Sequence, residues 1–133
     1  MSEQSKLFKV YESKNAPAAI GAYSPVISIP ASAEQFLFSG QIGLDPASMQ
    51  MREGFKSQLE QILTNIDALL EGANLSRKNI VKTTVFLTDL TNFSMVNSAY
   101  ETFFSKPYPA RSCVEVKALP KGSLVEIEVI AIK

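Results

Sequence analysis

The sequence predicts an α+β domain that spans residues 1–133, with two helices on one face of a mixed six-stranded sheet. Two stretches carry apolar residues at helical spacing, and six short stretches are rich in β-branched and aromatic residues. The 133 residues show no internal repeat, linker or low-complexity tract, so their length suffices for one core only. The predicted elements follow one another in the order βββ-α-β-α-ββ.

Three short segments predict the first strands. Residues 7–12 are a candidate first strand, and residues 25–30 form a β-branched run bounded by prolines, as is typical of an edge strand. Residues 35–42 predict a third strand, in which Gly40 indicates a bulge or a close approach of two backbones. A loop is expected over residues 44–54.

The clearest helix is predicted for residues 55–70, and Gly72 and Asn74 favour a stop just after it. Its apolar residues keep the spacing of one buried face: Phe55, Leu59, Ile62, Leu63, Ile66, Leu69 and Leu70. A second stripe predicts a helix that ends before Pro107. That stripe consists of Phe93, Val96, Tyr100, Phe103 and Phe104.

The remaining strands are predicted over residues 79–88, 110–119 and 124–132, the last two joined by a turn at residues 120–123. In the first of these strands, one face carries Val81, Thr83, Val85 and Leu87.

The second face of this sheet is predicted to pack against another copy of the chain. Two helices cover only one face, yet residues 36–38 and 130–132 are apolar on both sides of their strands. A face in contact with water would instead alternate apolar and polar side chains. We therefore expect a homo-oligomer.

The composition excludes several classes of protein. There is no histidine and one cysteine, Cys113, so histidine-based triads and zinc sites are excluded, and no disulfide can form within the chain. Lys plus Arg and Asp plus Glu are 13 each, which argues against a nucleic-acid-binding protein. The polar N-terminal residues lack the apolar segment of a secretory signal, and no apolar run is long enough for a membrane span. A cytoplasmic location is expected.

Two predicted strands place ionisable residues where chemistry is possible. Side chains alternate along a strand, so Arg111 and Cys113 share one face. The opposite face carries the small residues Ala110, Ser112 and Val114 and is the one expected to pack against the helices. In the last strand Glu126 lies opposite the apolar face. We therefore expect Arg111, Cys113 and Glu126 on the same side of the sheet, the side covered by another subunit. Charges at such an interface are costly unless they are paired or used.

Ordinary interpretations remain open for each residue taken alone. Arg111 and Glu126 are equally consistent with an interfacial ion pair, and a free cysteine such as Cys113 is commonly an inert core residue. Asn97 and Tyr23 are then ordinary polar residues, and Ser39 with Gly40 is a strand irregularity.

Five stretches together resemble the RidA/YjgF family of reactive intermediate deaminases over nearly the whole chain. They are residues 15–25 (NAPAAIGAYSP), 38–43 (FSGQIG), 80–90 (IVKTTVFLTDL), 93–104 (FSMVNSAYETFF) and 109–133 (PARSCVEVKALPKGSLVEIEVIAIK). The resemblance implies a chorismate-mutase-like fold and a homotrimer with clefts between adjacent subunits.

The resemblance also implies roles for residues at matching positions. Arg111 would bind a substrate carboxylate, Glu126 would hold the attacking water, and the backbone of Cys113 would line the pocket. These three are the predicted catalytic residues. The predicted substrate-binding residues, together with Arg111, are Tyr23, Ser39, Gly40 and Asn97.

The implied activity is hydrolysis of 2-imino acids, such as 2-iminobutanoate and 2-iminopropanoate, to 2-oxo acids and ammonia, without a cofactor or metal. A guanidinium suits the carboxylate, and a carboxylate side chain can move protons without histidine. The implied use is clearance of reactive enamines and imines released by pyridoxal-phosphate enzymes.

Two other functions remain open. An endoribonuclease or translation inhibitor, a label also given to this family, requires a basic groove that the neutral sequence does not indicate. A non-enzymatic binder of small carboxylates would need Arg111 but not Glu126.

Overall fold

The computed structural model describes residues 7–133 and contains six strands and two helices. The strands are β1 (Lys9–Tyr11), β2 (Val26–Ser28), β3 (Gln35–Gln41), β4 (Ile80–Leu87), β5 (Ala110–Glu115) and β6 (Val125–Ile132). The helices are α1 (Phe55–Gly72) and α2 (Phe93–Phe103). This order confirms the predicted sequence of elements, and β5 is shorter than predicted.

The predicted single six-stranded sheet is wrong, because the strands form two sheets. Four strands make the main sheet in the order β3-β6-β4-β5, whereas β1 and β2 pair only with each other. In the main sheet β4 and β5 are parallel, and the other neighbours are antiparallel. Helix α2 is the crossover between the two parallel strands.

The β1–β2 hairpin packs against the main sheet rather than extending it. Phe8, just before β1, is buried with Val81 and Ile132 in a small second core. Alternation along β6 places Ile132 on the same face as Glu126, so this core covers one end of the face opposite the helices. The hairpin of the same chain therefore covers part of the apolar run at the end of β6, and a second subunit is not needed to bury Ile132.

The main core lies between the helices and the other face of the sheet. Helix α1 buries the predicted stripe except at Leu63, which is partly buried, and at Leu69, which is 44% exposed. The stop prediction is confirmed, because α1 ends at Gly72 and Asn74 takes a left-handed conformation with φ of 60°. Burial of each large side chain in such a stripe contributes about 1.5–3 kcal/mol.

The face of β4 that meets the helices carries Thr83, Val85 and Leu87, as predicted. Val81 departs from the prediction and belongs to the second core, because the register of β4 against β6 shifts between Ile80 and Lys82. The shift turns Val81 towards the hairpin.

Part of the opposite face of the sheet stays open. Leu37 on β3 is 75% exposed and Val114 on β5 is 44% exposed. Lys82 lies between them on β4 and donates from Nζ to Ser112 Oγ at 3.1 Å. No helix among the described residues is long and apolar enough to cross a membrane.

Candidate functional site

Arg111 projects from the edge strand β5 towards the helices. Its Cα partner on β4 is Thr83, which is buried under α2, and Cys113 is likewise opposite the buried Val85. Partners in a ladder point to the same face of a sheet. Arg111 and Cys113 therefore share the face that carries the main core.

The guanidinium of Arg111 is held by one hydrogen bond and three aromatic rings. Its Nη1 donates to Asn97 Oδ1 at 2.6 Å. The Tyr23, Phe93 and Tyr100 ring centroids lie 5.1, 5.2 and 5.5 Å from its central carbon, within cation–π range. Within residues 7–133, Arg111 forms no ion pair with a carboxylate. Its charge is thus oriented but not neutralised.

Helix α2 supplies three of the four side chains that surround the Arg111 guanidinium. Phe93, Asn97 and Tyr100 are spaced i, i+4 and i+7, which places them on one helix face. The sequence prediction included Asn97 but treated Phe93 and Tyr100 as core residues only. Their common spacing with Asn97 was the signal that could have identified them as neighbours of Arg111.

The segment before β2 supplies the fourth of these side chains, Tyr23. The Tyr23 hydroxyl accepts a hydrogen bond from the Ile20 N–H at 3.2 Å, and the Ser24 N–H donates to the Pro109 carbonyl at 3.0 Å. The first bond folds the segment on itself, and the second ties it to the residue before β5. A β-carbon at Gly21 would lie 2.8 Å from Asn97 Oδ1, so a larger residue there would displace the Asn97 side chain.

Cys113 lies beside Arg111, half-buried against the main core. Burial raises the pKa of its thiol, and the nearby Arg111 charge only partly opposes that effect. A neutral thiol is a poor nucleophile, which argues against covalent catalysis by this side chain. We call Tyr23, Asn97, Arg111 and Cys113 the arginine cluster.

Glu126 lies beside Gly40, which follows Ser39 in the irregular part of β3, and we call these three residues the glutamate cluster. The predicted irregularity at Gly40 is confirmed, because the β3–β6 register shifts between Phe38 and Gln41. A β-carbon at Gly40 would overlap Glu126 Oε2 and lie 2.8 Å from its Cδ. The missing side chain of Gly40 therefore makes room for the Glu126 carboxylate.

The electrostatics of the glutamate cluster favour a proton-accepting carboxyl group. Burial raises the pKa of Glu126, and the negative charge of Glu128, on the same face of β6, raises it further. A carboxylate with a raised pKa is a stronger base, as general base catalysis requires.

The predicted placement of Arg111, Cys113 and Glu126 on one side of the sheet is wrong. Glu126 pairs with Phe86 across the β4–β6 ladder, and Phe86 pairs with Val114 on β5. The glutamate cluster therefore faces away from the helices, whereas the arginine cluster faces towards them. Arg111 is tolerated on the helix side because it sits at a sheet edge, where Asn97 and aromatic rings take the place of water.

Within one chain, the structure thus brings the predicted residues together as two groups rather than one. No three potential metal-ligating side chains of His, Cys, Asp or Glu gather anywhere in residues 7–133.

Comparison with known proteins identifies the family. The family model described as Endoribonuclease L-PSP matches residues 13–133. A protein named 2-iminobutanoate/2-iminopropanoate deaminase from Salmonella typhimurium is 44% identical over 128 residues, which cover 94% of this chain and 98% of that protein.

Two solved structures share the fold. RidA from the Antarctic bacterium Psychrobacter is 44% identical with a TM-score of 0.73, covering 94% of this chain and 99% of that one. A putative endoribonuclease from Thermotoga maritima is 38% identical with a TM-score of 0.72, covering 94% of this chain and 97% of that one. With matches of this identity and extent, the chain belongs to the RidA/YjgF family, which the Endoribonuclease L-PSP model describes.

Proposed function

We propose that this protein hydrolyses small 2-imino acids to 2-oxo acids and ammonia, in sites formed between identical subunits. The observation that carries the proposal is the state of Arg111: its guanidinium is oriented by Asn97 and three rings, yet it pairs with no carboxylate among the described residues. Such an arrangement suits an anionic ligand. Deaminase names among relatives about 44% identical support the reaction class.

In this proposal Arg111 binds the substrate carboxylate. The planar guanidinium donates two parallel hydrogen bonds to the two carboxylate oxygens, which fixes the plane of the adjacent C=N group. The Tyr23 and Phe93 rings restrict the motion of the guanidinium, so less entropy is lost when the substrate binds. The backbone of Cys113 lines the same pocket.

Water supplies the new oxygen atom. Glu126 accepts a proton from water as the oxygen attacks the imine carbon and passes it to the imine nitrogen, which gives a tetrahedral carbinolamine with one hydroxyl and one amino group. Glu126 then moves the hydroxyl proton to the amino nitrogen, so the C–N bond breaks and ammonia leaves as the carbonyl forms. The overall change is one imino acid plus one water to one 2-oxo acid plus one ammonia. Positioning and charge account for the rate.

The two clusters meet in this proposal only when a second chain joins the first. Glu126 and Arg111 face opposite sides of one sheet, so a single chain does not present both to one ligand. A neighbouring subunit that packs its open face against the edge of β5 supplies Glu126, Ser39 and Gly40. A closed ring, such as a homotrimer, repeats this contact at every interface.

The test is a coupled assay in which a threonine dehydratase generates 2-iminobutanoate and formation of 2-oxobutanoate is followed. We expect wild type to accelerate hydrolysis, and Arg111→Ala to lower kcat/KM by about 10-fold or more, because a charged hydrogen-bond pair is lost. Arg52→Ala is the matched control, since Arg52 pairs with Asp45. Full activity of Arg111→Ala contradicts the mechanism.

The same protein preparations should be tested on RNA, because the family model carries the name endoribonuclease. We expect no cleavage above background. Cleavage by wild type that disappears in Arg111→Ala would favour the ribonuclease function. Carboxylate binding without imine turnover would favour the non-enzymatic binder.

A further inference from the structure

A buried hydroxyl pair lies directly beneath the arginine cluster. The Tyr100 hydroxyl on α2 donates to Thr83 Oγ1 on β4 at 3.0 Å. Tyr100 is 1% exposed and Thr83 is fully buried, at the border between the main apolar core and the Arg111 guanidinium. Burial raises the pKa of Tyr100, so its hydroxyl remains protonated and acts as the donor.

The position of this pair relates it to Arg111. Thr83 is the Cα partner of Arg111 in the β4–β5 ladder. Tyr100 follows Asn97 by three residues on α2, so both lie on the same helix face. One hydrogen bond therefore fixes α2 against the sheet at the level where Asn97 meets Arg111.

Packing alone does not require these hydroxyl groups. A phenylalanine at position 100 would keep the edge contact with the Phe104 ring, whose centroid lies 5.2 Å away. A valine at position 83 would fill nearly the same volume as threonine. The hydroxyl pair adds direction, because a hydrogen bond weakens steeply when distance or angle changes. A purely apolar contact is non-directional and does not impose such a geometry on helix α2.

We propose that Tyr100 and Thr83 are positioning residues that set the geometry of the Asn97–Arg111 bond and thereby the affinity for the substrate carboxylate. This inference rests on the proposed role of Arg111. The Asn97–Arg111 bond of 2.6 Å leaves little tolerance for displacement, and the β-carbon excluded at Gly21 shows how closely the neighbouring backbone approaches it.

The double variant Tyr100→Phe/Thr83→Val separates positioning from stability. Either single change leaves one buried hydroxyl without a partner, which destabilises the protein. Removing both partners leaves no unsatisfied group, so the melting temperature should return close to that of wild type. A positioning role predicts that the binding defect nevertheless persists in the double variant.

The readouts are the melting temperature, the dissociation constant for 2-oxobutanoate by calorimetry, and KM and kcat with 2-iminobutanoate. We expect the double variant to bind about 3- to 10-fold more weakly, with KM raised more than kcat is lowered. Thr83→Ser retains the acceptor hydroxyl and should bind like wild type. Wild-type affinity in the double variant overturns the inference.

The two proposals fail in different ways. If wild type binds 2-oxobutanoate but does not hydrolyse the imine, the proposed function is wrong, and the binding series still tests the positioning pair. If Thr83→Ser weakens binding as much as the double variant does, the pair has no directional role and the inference is wrong.

Discussion

Arg111 and Glu126 lie on opposite faces of the same four-stranded sheet, as the pairing of β5 with β4 and of β4 with β6 shows. Arg111 shares its face with Thr83 and the helices, whereas Glu126 shares its face with Phe86 and Val114. If both side chains act on one substrate, they come from different chains. This relationship permits a test that does not depend on the number of subunits.

Mixing two inactive variants should restore activity. We expect Arg111→Ala and Glu126→Ala each to be impaired, and equal mixing followed by reassembly to give about a quarter of the wild-type sites. That fraction is the chance that a site draws Arg111 from one kind of subunit and Glu126 from the other in any closed ring. The measurement is imine hydrolysis before and after denaturation and joint refolding.

The control for mixing is reassembly of each variant with itself, which should restore nothing. If the mixed sample also remains at the level of the separate variants, while its subunits are shown to have exchanged, the site does not draw these residues from two chains.

The pH dependence of catalysis should report Glu126. The carboxylate form accepts the proton, so kcat/KM should fall as pH decreases through the pKa of Glu126, which burial and Glu128 raise above the ordinary value. Glu128→Gln removes the neighbouring negative charge and should move this acid limb to lower pH. The measurement is kcat/KM against pH, corrected for spontaneous imine hydrolysis.

Lys82 also lies on the face of the sheet opposite the helices, and its Nζ donates to Ser112 Oγ. Lys82→Met is the matched control, because it removes a positive charge from the same face. If the acid limb of kcat/KM responds to the general surface potential, this variant should move the limb to higher pH, opposite to the shift expected in Glu128→Gln. A limb that keeps its position in Glu128→Gln contradicts the assignment to Glu126.

Gly40→Ala should reduce activity more than stability. The added β-carbon would overlap the Glu126 carboxylate, which is the far end of a flexible side chain and can move away. We expect kcat to fall about 10-fold or more, with a small change in the free energy of unfolding. Kinetics and thermal unfolding of the same preparation measure both effects.

Gly72→Ala is the control substitution, because a β-carbon there meets nothing within 4 Å and alanine favours helix α1 by up to about 1 kcal/mol. It should leave kcat unchanged. An equal loss of activity in both variants would show that Gly40 does not act through Glu126.

Much of the fold follows from residue patterns. The stripe of α1, the left-handed stop at Asn74 and the irregularity at Gly40 are local properties, so they could be predicted and are confirmed. Alternation also correctly grouped Arg111 with Cys113. It could not determine which face of β5 meets the helices, because that depends on the register with β4.

The errors have a common physical origin in contacts between distant segments. The separate hairpin depends on Phe8 packing against Ile132, across most of the chain. The helix-side position of Arg111 depends on Asn97 and on rings from two other segments, which make a charged residue acceptable beside a core. The assigned functions of the site residues stay predictions, and their grouping into two clusters is the new information.

Leu37→Glu should dissociate the assembly that the proposed site requires. Leu37 is 75% exposed on the open face of β3, and an uncompensated carboxylate buried at an apolar interface costs several kcal/mol. We expect the mass from light scattering to fall towards the 14.6 kDa of one chain, with activity lost in parallel. Met49→Glu is the matched control, since Met49 is 61% exposed on the loop before α1, and Gln58 and Asn65 of α1 donate hydrogen bonds to carbonyls of that loop. An active single-chain form of Leu37→Glu would contradict sites between subunits, because Glu126 would then have no neighbouring Arg111 to act beside.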